Sequence, residues 1–387
     1  MKNIKIAGNV RNVTPIYVGQ DYEPIVIASV GSSNINDSLA LEVEKAKKAV
    51  ELGASIVTDH TLLDDLEYVQ ETIAQVVTVP FSTISVYEAA VKSRKTNKII
   101  HSQEMINIIE NQARRGIDIL TLHATAFKSD VNLLKKTQRI IPCTSRGGTM
   151  MLEILSVSGE ENPYWTYFDD ILDIAKKYNI TLSLGTCFRP ASVYDCANNN
   201  ELYFIEMQRM GELVQRANNK SVGVIIEGIG HAPLNYIGKI IQKTKELCLN
   251  APYRVLTVAT DIALGYDHIA SAIASANAVY HGADMVTCVS RSEHIGLPSI
   301  DDLSEAVIAA KIAVHSGYSA RTNDFQQDKN MSVARNQLGC GGQIEAAIYP
   351  KGALEALRNK KYVDGKKECG MCGEFCALDA NERLIHN

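Results

Sequence analysis

"EPIVIASV" (residues 23–30) is an unbroken apolar run of strand length. "SLALEVEKAKKAVELG" (38–53) follows it with apolar residues at helical spacing and stops at Gly53. The pair reads as a buried strand followed by a helix, and the pattern recurs along the chain. "SIVTDH" (55–60) precedes a helical stretch over 62–76, and "VVTVPFSTI" (76–84) precedes helical segments over 86–115. "DILTLHA" (118–124), "IIPCTS" (140–145), "TLSLGT" (181–186), "SVGVIIEG" (221–228) and "YRVLTVAT" (253–260) continue the series, each with a helical pattern after it. That makes about eight strand–helix units over roughly 250 residues, so the sequence predicts an α/β fold with a parallel sheet closed into a (β/α)8 TIM-like barrel. A doubly wound sheet is the alternative, but no glycine-rich dinucleotide turn follows the first strand.

The expected organisation is an N-terminal extension over 1–22, a barrel over 23–321 that holds the site, and a C-terminal appendage over 322–387. "MVTCVS" (285–290) and a helix over 302–316 follow the eight units. The polar stretch "SGYSARTNDFQQDKNMS" (316–332) reads as a linker or loop, and "PKGALEALRNKK" (350–361) as a short helix.

Composition narrows the function class. The chain has 387 residues, 46% hydrophobic and 21% charged, with a net charge of -5. No basic field argues for nucleic acid or an anionic membrane. The sequence shows neither an apolar run of membrane-spanning length nor a signal peptide in "MKNIKIAGNV", which predicts a cytoplasmic protein. Nine cysteines, an odd and scattered set, make no disulfide framework. Cys143, Cys187, Cys196, Cys248, Cys288 and Cys340 are isolated, and most read as buried thiols.

Polar side chains recur where strands should end, which in a barrel is the catalytic rim. They are His60, His123, Ser145-Arg146-Gly147, Arg189, Glu227, His231, Asp261, Asp267, His268, Glu293 and His294. Each alone has a structural reading, but together they mark one rim. "SRGG" suits an anion, because a glycine-rich helix start and a guanidinium match a phosphate. His231 and His294 are candidate ligands for zinc or iron, although spacing alone does not pair them. The tail "ECGMCGEFCALDANERLIHN" (368–387) carries Cys369, Cys372 and Cys376 as Cys-x2-Cys-x3-Cys. Three thiolates with His386 could hold zinc; three without a fourth ligand could hold a [4Fe–4S] cluster with one iron open. On spacing alone both stand.

"TSRGGTMM", "LSLGTCFRP", "IEGIGHAP", "TDIALGYDHIASAI", "SEHIGLP" and "CGMCGEFCAL", in this order, resemble the phosphomethylpyrimidine synthase (ThiC) family. The resemblance implies a non-standard radical S-adenosylmethionine (SAM) lyase acting on aminoimidazole ribotide in thiamin biosynthesis. A relative that makes 5-hydroxybenzimidazole for cobalamin, or a paralogue with another substrate, is the alternative. It further implies a homodimer and an electron donor such as flavodoxin or ferredoxin. Cys369, Cys372 and Cys376 match the cluster ligands, although the family motif is usually quoted with four residues in the last gap. His231 and His294 match the ligands of a second metal, Zn2+ or Fe2+, beside SAM, and Asp261 and His268 match cofactor-binding positions. Ser145, Arg146 and Gly147 match the phosphate site, and Tyr87, His123, Arg189 and Glu227 match ribotide-binding positions.

Three positions depart from the family. Ile27, Thr58 and Thr186 stand where it has asparagine, methionine and aspartate. A buried amine facing Ile27 would go unsatisfied, at roughly 1–3 kcal/mol. The departures therefore imply altered ring recognition. Two readings from other classes are a zinc-stabilised tail on a non-catalytic barrel, and a zinc hydrolase using His231 and His294.

Overall fold

A computed structural model of the chain describes residues 1–8, 10–33, 38–337, 339–358, 371–372 and 375–386. They fall into two compact units, Met1–Arg321 and Thr322–Asn387. The first unit opens with a hairpin, β1 (Asn3–Ile6) antiparallel to β2 (Ile16–Gly19). Eight strands follow: β3 (Ile25–Val30), β4 (Ile56–Asp59), β5 (Phe81–Ile84), β6 (Ile119–Leu122), β7 (Thr181–Leu184), β8 (Val224–Gly228), β9 (Tyr253–Val255) and β10 (Met285–Thr287). They pair in parallel from β3 to β10, and β10 returns to β3, so the barrel is closed. Helices lie between successive strands. The fold is the (β/α)8 barrel that the sequence predicts.

Register decides which side chains fill the interior, because partners on adjacent parallel strands point the same way. Ile27 pairs with Ile56, Thr58 with Ser82, Thr121 with Ser183, and Glu227 with Arg254. At the starts of the strands this inner face is apolar: Ile27, Ile56, Ile119, Ile225 and Met285 form one buried cluster. Toward the strand ends it becomes polar. Residues 1–22, read from the sequence as an extension, close the barrel from below. Ile4 and Ile6 of β1 and Val18 of β2 join that same cluster. Arg11 then fastens the segment to the lower rim, with Nη1 donating to Asp118 Oδ2 at 2.6 Å and Nη2 to the Val77 carbonyl at 2.6 Å.

Two sequence readings need correction. "IIPCTS" is not a strand. β6 pairs directly with β7, so no edge is free for it. Pro142 also has no N–H to offer a ladder, and Ile140 is 72% exposed. The backbone of Ile140 and Ile141 instead donates to the two oxygens of Asp195. "MVTCVS" supplies the eighth strand in its place, as β10. The second correction concerns the supposed linker over 316–332. The helix Ile300–Thr322 runs well into it, and the helix Gln326–Gln337 resumes after Asn323, whose left-handed φ of 57° makes the break. Few apolar residues signal that helix because most of its side chains face water.

The second unit holds the helix Gln326–Gln337 and the helices Gly339–Glu345, Pro350–Leu357 and Ala377–His386. Cys372 is exposed, and Cys376 is buried directly ahead of the last helix. Cys369 lies outside the described residues. Among the described residues no helix is long and apolar enough to cross a membrane.

The floor makes a stability prediction. Ile6 is fully buried. Ile6→Ala should cost roughly 2–5 kcal/mol, the range for deleting a packed aliphatic side chain. Tyr17→Ala, at a half-exposed position of the same hairpin, should cost about 0.5 kcal/mol or less. Urea-unfolding midpoints and slopes of the two variants check this.

Candidate functional site

A cavity of about 240 Å3 opens at the C-terminal ends of the strands. On one wall, Ser145 caps the helix Arg146–Ser158, its Oγ accepting from the Gly148 N–H at 3.1 Å. The first turn of that helix therefore presents N–H groups and the exposed Arg146 guanidinium at the mouth. Gly147 has a second role. A Cβ there would collide with the His123 ring, and a Cβ on Gly185 would crowd the ring from its other side. The two glycines make the slot in which His123 sits, 3% exposed. Burial pushes its pKa down to about 4, so the imidazole is neutral near pH 7. His60 is partly buried, and desolvation reinforced by Arg254 pushes it down to about 3. Tyr87 meets the His60 ring edge-on, with centroids 6.2 Å apart, and lies 5.9 Å from the Arg146 guanidinium.

The loop after β7 is set by a buried acid. Glu206 accepts from the backbone N–H groups of Cys187 and Phe188, at 2.6 and 2.8 Å, and from Thr125 Oγ1 at 2.7 Å. This fixes Thr186 and Arg189. Arg189 Nη1 donates to Thr186 Oγ1 at 3.2 Å and reaches Glu227 Oε1 at 3.4 Å. Burial alone would raise the pKa of Glu227. Arg189 and Arg254 outweigh it and hold the carboxyl below its usual value, hence ionised.

On the opposite wall stand two imidazoles. The rings of His231 and His294 are 5.1 Å apart between centroids. His231 Nδ1 is bound to Asp261 Oδ1 at 2.6 Å, and His294 Nδ1 to Asp267 Oδ1 at 3.0 Å. A carboxylate on Nδ1 selects the tautomer with its lone pair on Nε2, which is the arrangement behind metal-bound histidines. Burial lowers the His231 pKa despite Asp261, which again favours a neutral ligand. Among the described residues no group of three or more His, Cys, Asp and Glu that could hold a metal converges.

A sequence model of the radical SAM ThiC family matches residues 2–383. The chain belongs to the radical SAM ThiC family. ThiC-family membership carries SAM, an iron–sulfur cluster and a small-molecule substrate with it. A phosphomethylpyrimidine synthase of Methanocaldococcus jannaschii is 38% identical over 380 residues, which is 97% of this chain and 88% of that protein. One of Carboxydothermus hydrogenoformans is 37% identical over 382 residues, with the same coverage of each chain.

Within this ThiC-family barrel one cavity collects Tyr87, His123, Ser145, Arg146, Gly147, Arg189, Glu227, His231 and His294, residues the sequence singles out. Asp261 and His268 are not among its walls. Asp261 is held by His231 and the Val193 N–H, while His268 stands 4.0 Å from Glu305. Ile27 belongs to the floor cluster. Arg254 is the wall residue that sequence reasoning missed. Its signal was present, a single cation inside the apolar run "YRVLTVAT".

His60 yields a pH prediction. Its folded pKa, about 3, lies below the usual 6.5, so the unfolded chain binds the extra proton between those values. Its contribution to stability is complete above about pH 6.5 and is lost as pH falls toward 3. His60→Leu should flatten that acid limb, as read from urea midpoints across the window.

Proposed function

We propose that this chain is a radical SAM lyase of the phosphomethylpyrimidine synthase type, rearranging aminoimidazole ribotide or a closely related ribotide to hydroxymethylpyrimidine phosphate in thiamin biosynthesis. The observation that carries the reading is the pairing, in one cavity, of a phosphate cradle at Ser145–Gly147 with two carboxylate-backed histidines. Family membership supplies the reaction class.

The residues fit the groups they would hold. Cys369, Cys372 and Cys376 would bind three irons of a [4Fe–4S] cluster, and thiol donors suit it. His231 and His294 would hold Zn2+ or Fe2+ through Nε2, with Asp261 and Asp267 fixing the rings. When bound, the cluster and SAM supply a one-electron cleavage that yields a hydrogen-abstracting radical. The chain's own groups bind and orient. Arg146 and the capped helix start take the substrate phosphate, and Tyr87 and His123 wall the ribose. Glu227, ionised between Arg189 and Arg254, accepts from a ring amine. His123 and His60, both neutral, add no charge that would compete with Arg146 for the phosphate.

The same reading makes the protein a cytoplasmic homodimer fed by flavodoxin or ferredoxin. An exposed apolar stripe, Ile269, Ile273 and Tyr280 on the helix Asp267–Tyr280, suits a second copy.

Two measurements test the reading. Anaerobically prepared protein should be brown, absorb broadly near ~400 nm and hold about four irons per chain. With reductant, SAM and aminoimidazole ribotide it should release 5′-deoxyadenosine and a pyrimidine phosphate by mass spectrometry, and Cys372→Ala should lose both colour and products. A colourless protein with one zinc per chain bound at the cysteine tail would sink the proposal. For the second metal, Asp267→Asn should weaken Zn2+ or Fe2+ binding roughly 10–100-fold in a chelator competition. Unchanged affinity would exclude His294 as a ligand.

A further inference from the structure

The two imidazoles of the site are held to different degrees. His231 is built into the barrel: it bridges to Val258 beyond the end of β9, and its backbone N–H donates to the Pro190 carbonyl at 3.2 Å. His294 stands on the loop between β10 and the helix Ile300–Thr322, and that loop packs little, with Ile295 64% exposed and Leu297 43%. Its bonds to Glu293 and Asp302 are local. Glu293 accepts from the Ser290 N–H at 3.3 Å, and Asp302 accepts from Ser292 Oγ at 3.2 Å and from the Ser299 N–H at 3.0 Å. Asp267 orients the His294 ring, but a bond to a side chain does not fix the backbone that carries it.

A long-range tie comes from Lys45 on the helix Leu39–Glu51. Its Nζ donates to the Pro298 carbonyl at 3.0 Å, across 253 residues of sequence. Lys45 is 3% exposed, and a lysine is almost never this buried without a partner. The partner is Glu42, also buried, whose Oε1 lies 2.5 Å from Nζ. Glu42 Oε2 accepts in turn from the Gly31 N–H at 2.6 Å. Gly31 turns the chain off the end of β3 with a φ of 109°, and a Cβ there would lie 2.6 Å from the Thr61 nitrogen. One relay of bonds therefore runs from Gly31 through Glu42 and Lys45 to Pro298. It crosses the seam where β10 pairs with β3 and the barrel closes. Gly31, Lys45 and Pro298 line a second cavity of about 110 Å3, which shares His60, Arg146 and Glu293 with the first.

A buried ion pair gains little stability over apolar groups of the same volume. What it adds here is a directed bond to one carbonyl, four residues beyond His294. A ligand set works only when its members are held within about 0.5 Å of the productive geometry. We propose that Lys45 is a positioning residue for the two-histidine site. It fixes the backbone of the His294 loop against the first strand–helix unit, so that His294 faces the same ion as His231, and Glu42 holds its ammonium in place. The proposal rests on the reading that the two histidines hold a metal.

Zn2+ affinity tests it, by chelator competition on the full-length protein with its cluster reconstituted so that the tail thiols are occupied. Glu42→Gln/Lys45→Met removes the donor to Pro298 without stranding a buried charge, and the glutamine oxygen still serves the Gly31 N–H. The double variant should bind Zn2+ roughly tenfold more weakly, as when a group behind a metal ligand is lost, with its urea midpoint little changed. Glu42→Gln/Lys45→Gln, which fills the same space with two amides too short to reach Pro298, should show the same loss. Lys245→Met is the control. It breaks the buried pair with Asp284, just ahead of β10 at the opposite rim, and should lower the urea midpoint while leaving Zn2+ affinity unchanged. Unaltered affinity in the double variants, beside a clear loss in His294→Ala, overturns the role of Lys45 and leaves the metal reading intact. An equal loss in Lys245→Met assigns the effect to general loosening and overturns it too. Failure of both double variants to fold makes the pair a folding requirement and overturns the narrower role. Equal affinity in His294→Ala and the unmodified protein overturns the metal reading itself, and the positioning role with it.

Discussion

Closing eight parallel strands leaves every second side chain of each strand nowhere to go but the barrel's interior, and the rest of the structure follows from how that volume is filled. Parallel register makes neighbours share a face, so the interior is built in layers across strands. The lowest layer is aliphatic and is completed by Ile4, Ile6 and Val18 from the hairpin beneath. That packing excludes water from below. The layers above can then be polar, because their hydroxyls, imidazoles and charges open to one side only.

The same enclosure sets the electrostatics. Burial disfavours charge on any group that can lose it, and His60 and His123 respond by staying neutral. Arg189 and Arg254 cannot lose theirs, so they keep Glu227 ionised. Among the described residues the interior thus holds fixed cations, the ionised Glu227 and neutral donors. His231 is lowered by the same burial, and its Nδ1 bond to Asp261 leaves the opposite nitrogen for a metal. Charge in this barrel is placed by geometry rather than by solvent.

The fold was legible in the sequence because buried parallel strands are short unbroken apolar runs, and β3 to β8 each announce themselves that way. The misreadings share a cause. "IIPCTS" has the composition of such a run but no partner strand, and pairing is a tertiary fact that composition cannot carry. The helix Gln326–Gln337 has few apolar residues to mark its period. The site was legible where residues stand at or beyond the end of a strand, as Glu227, His123 and His294 do. Arg254 escaped because it lies within a strand, where an apolar average hides one cation, and its inward direction depends on register with Glu227. The bonds of Asp261 and Asp267 to histidines escaped because sequence distance says nothing about which ring each one backs.

The three departures that the resemblance implies have places that differ in kind, and none is among the residues lining the cavity. Thr186 accepts from Arg189, so it tunes the angle at which that guanidinium meets Glu227 without adding charge. Thr58 leaves a buried hydroxyl unsatisfied beside His60. Ile27 belongs to the aliphatic floor, next to the threonine that accepts from Arg254. Arg189 and Arg254 share Glu227 as a counter-charge, and Glu293 also lines the cavity.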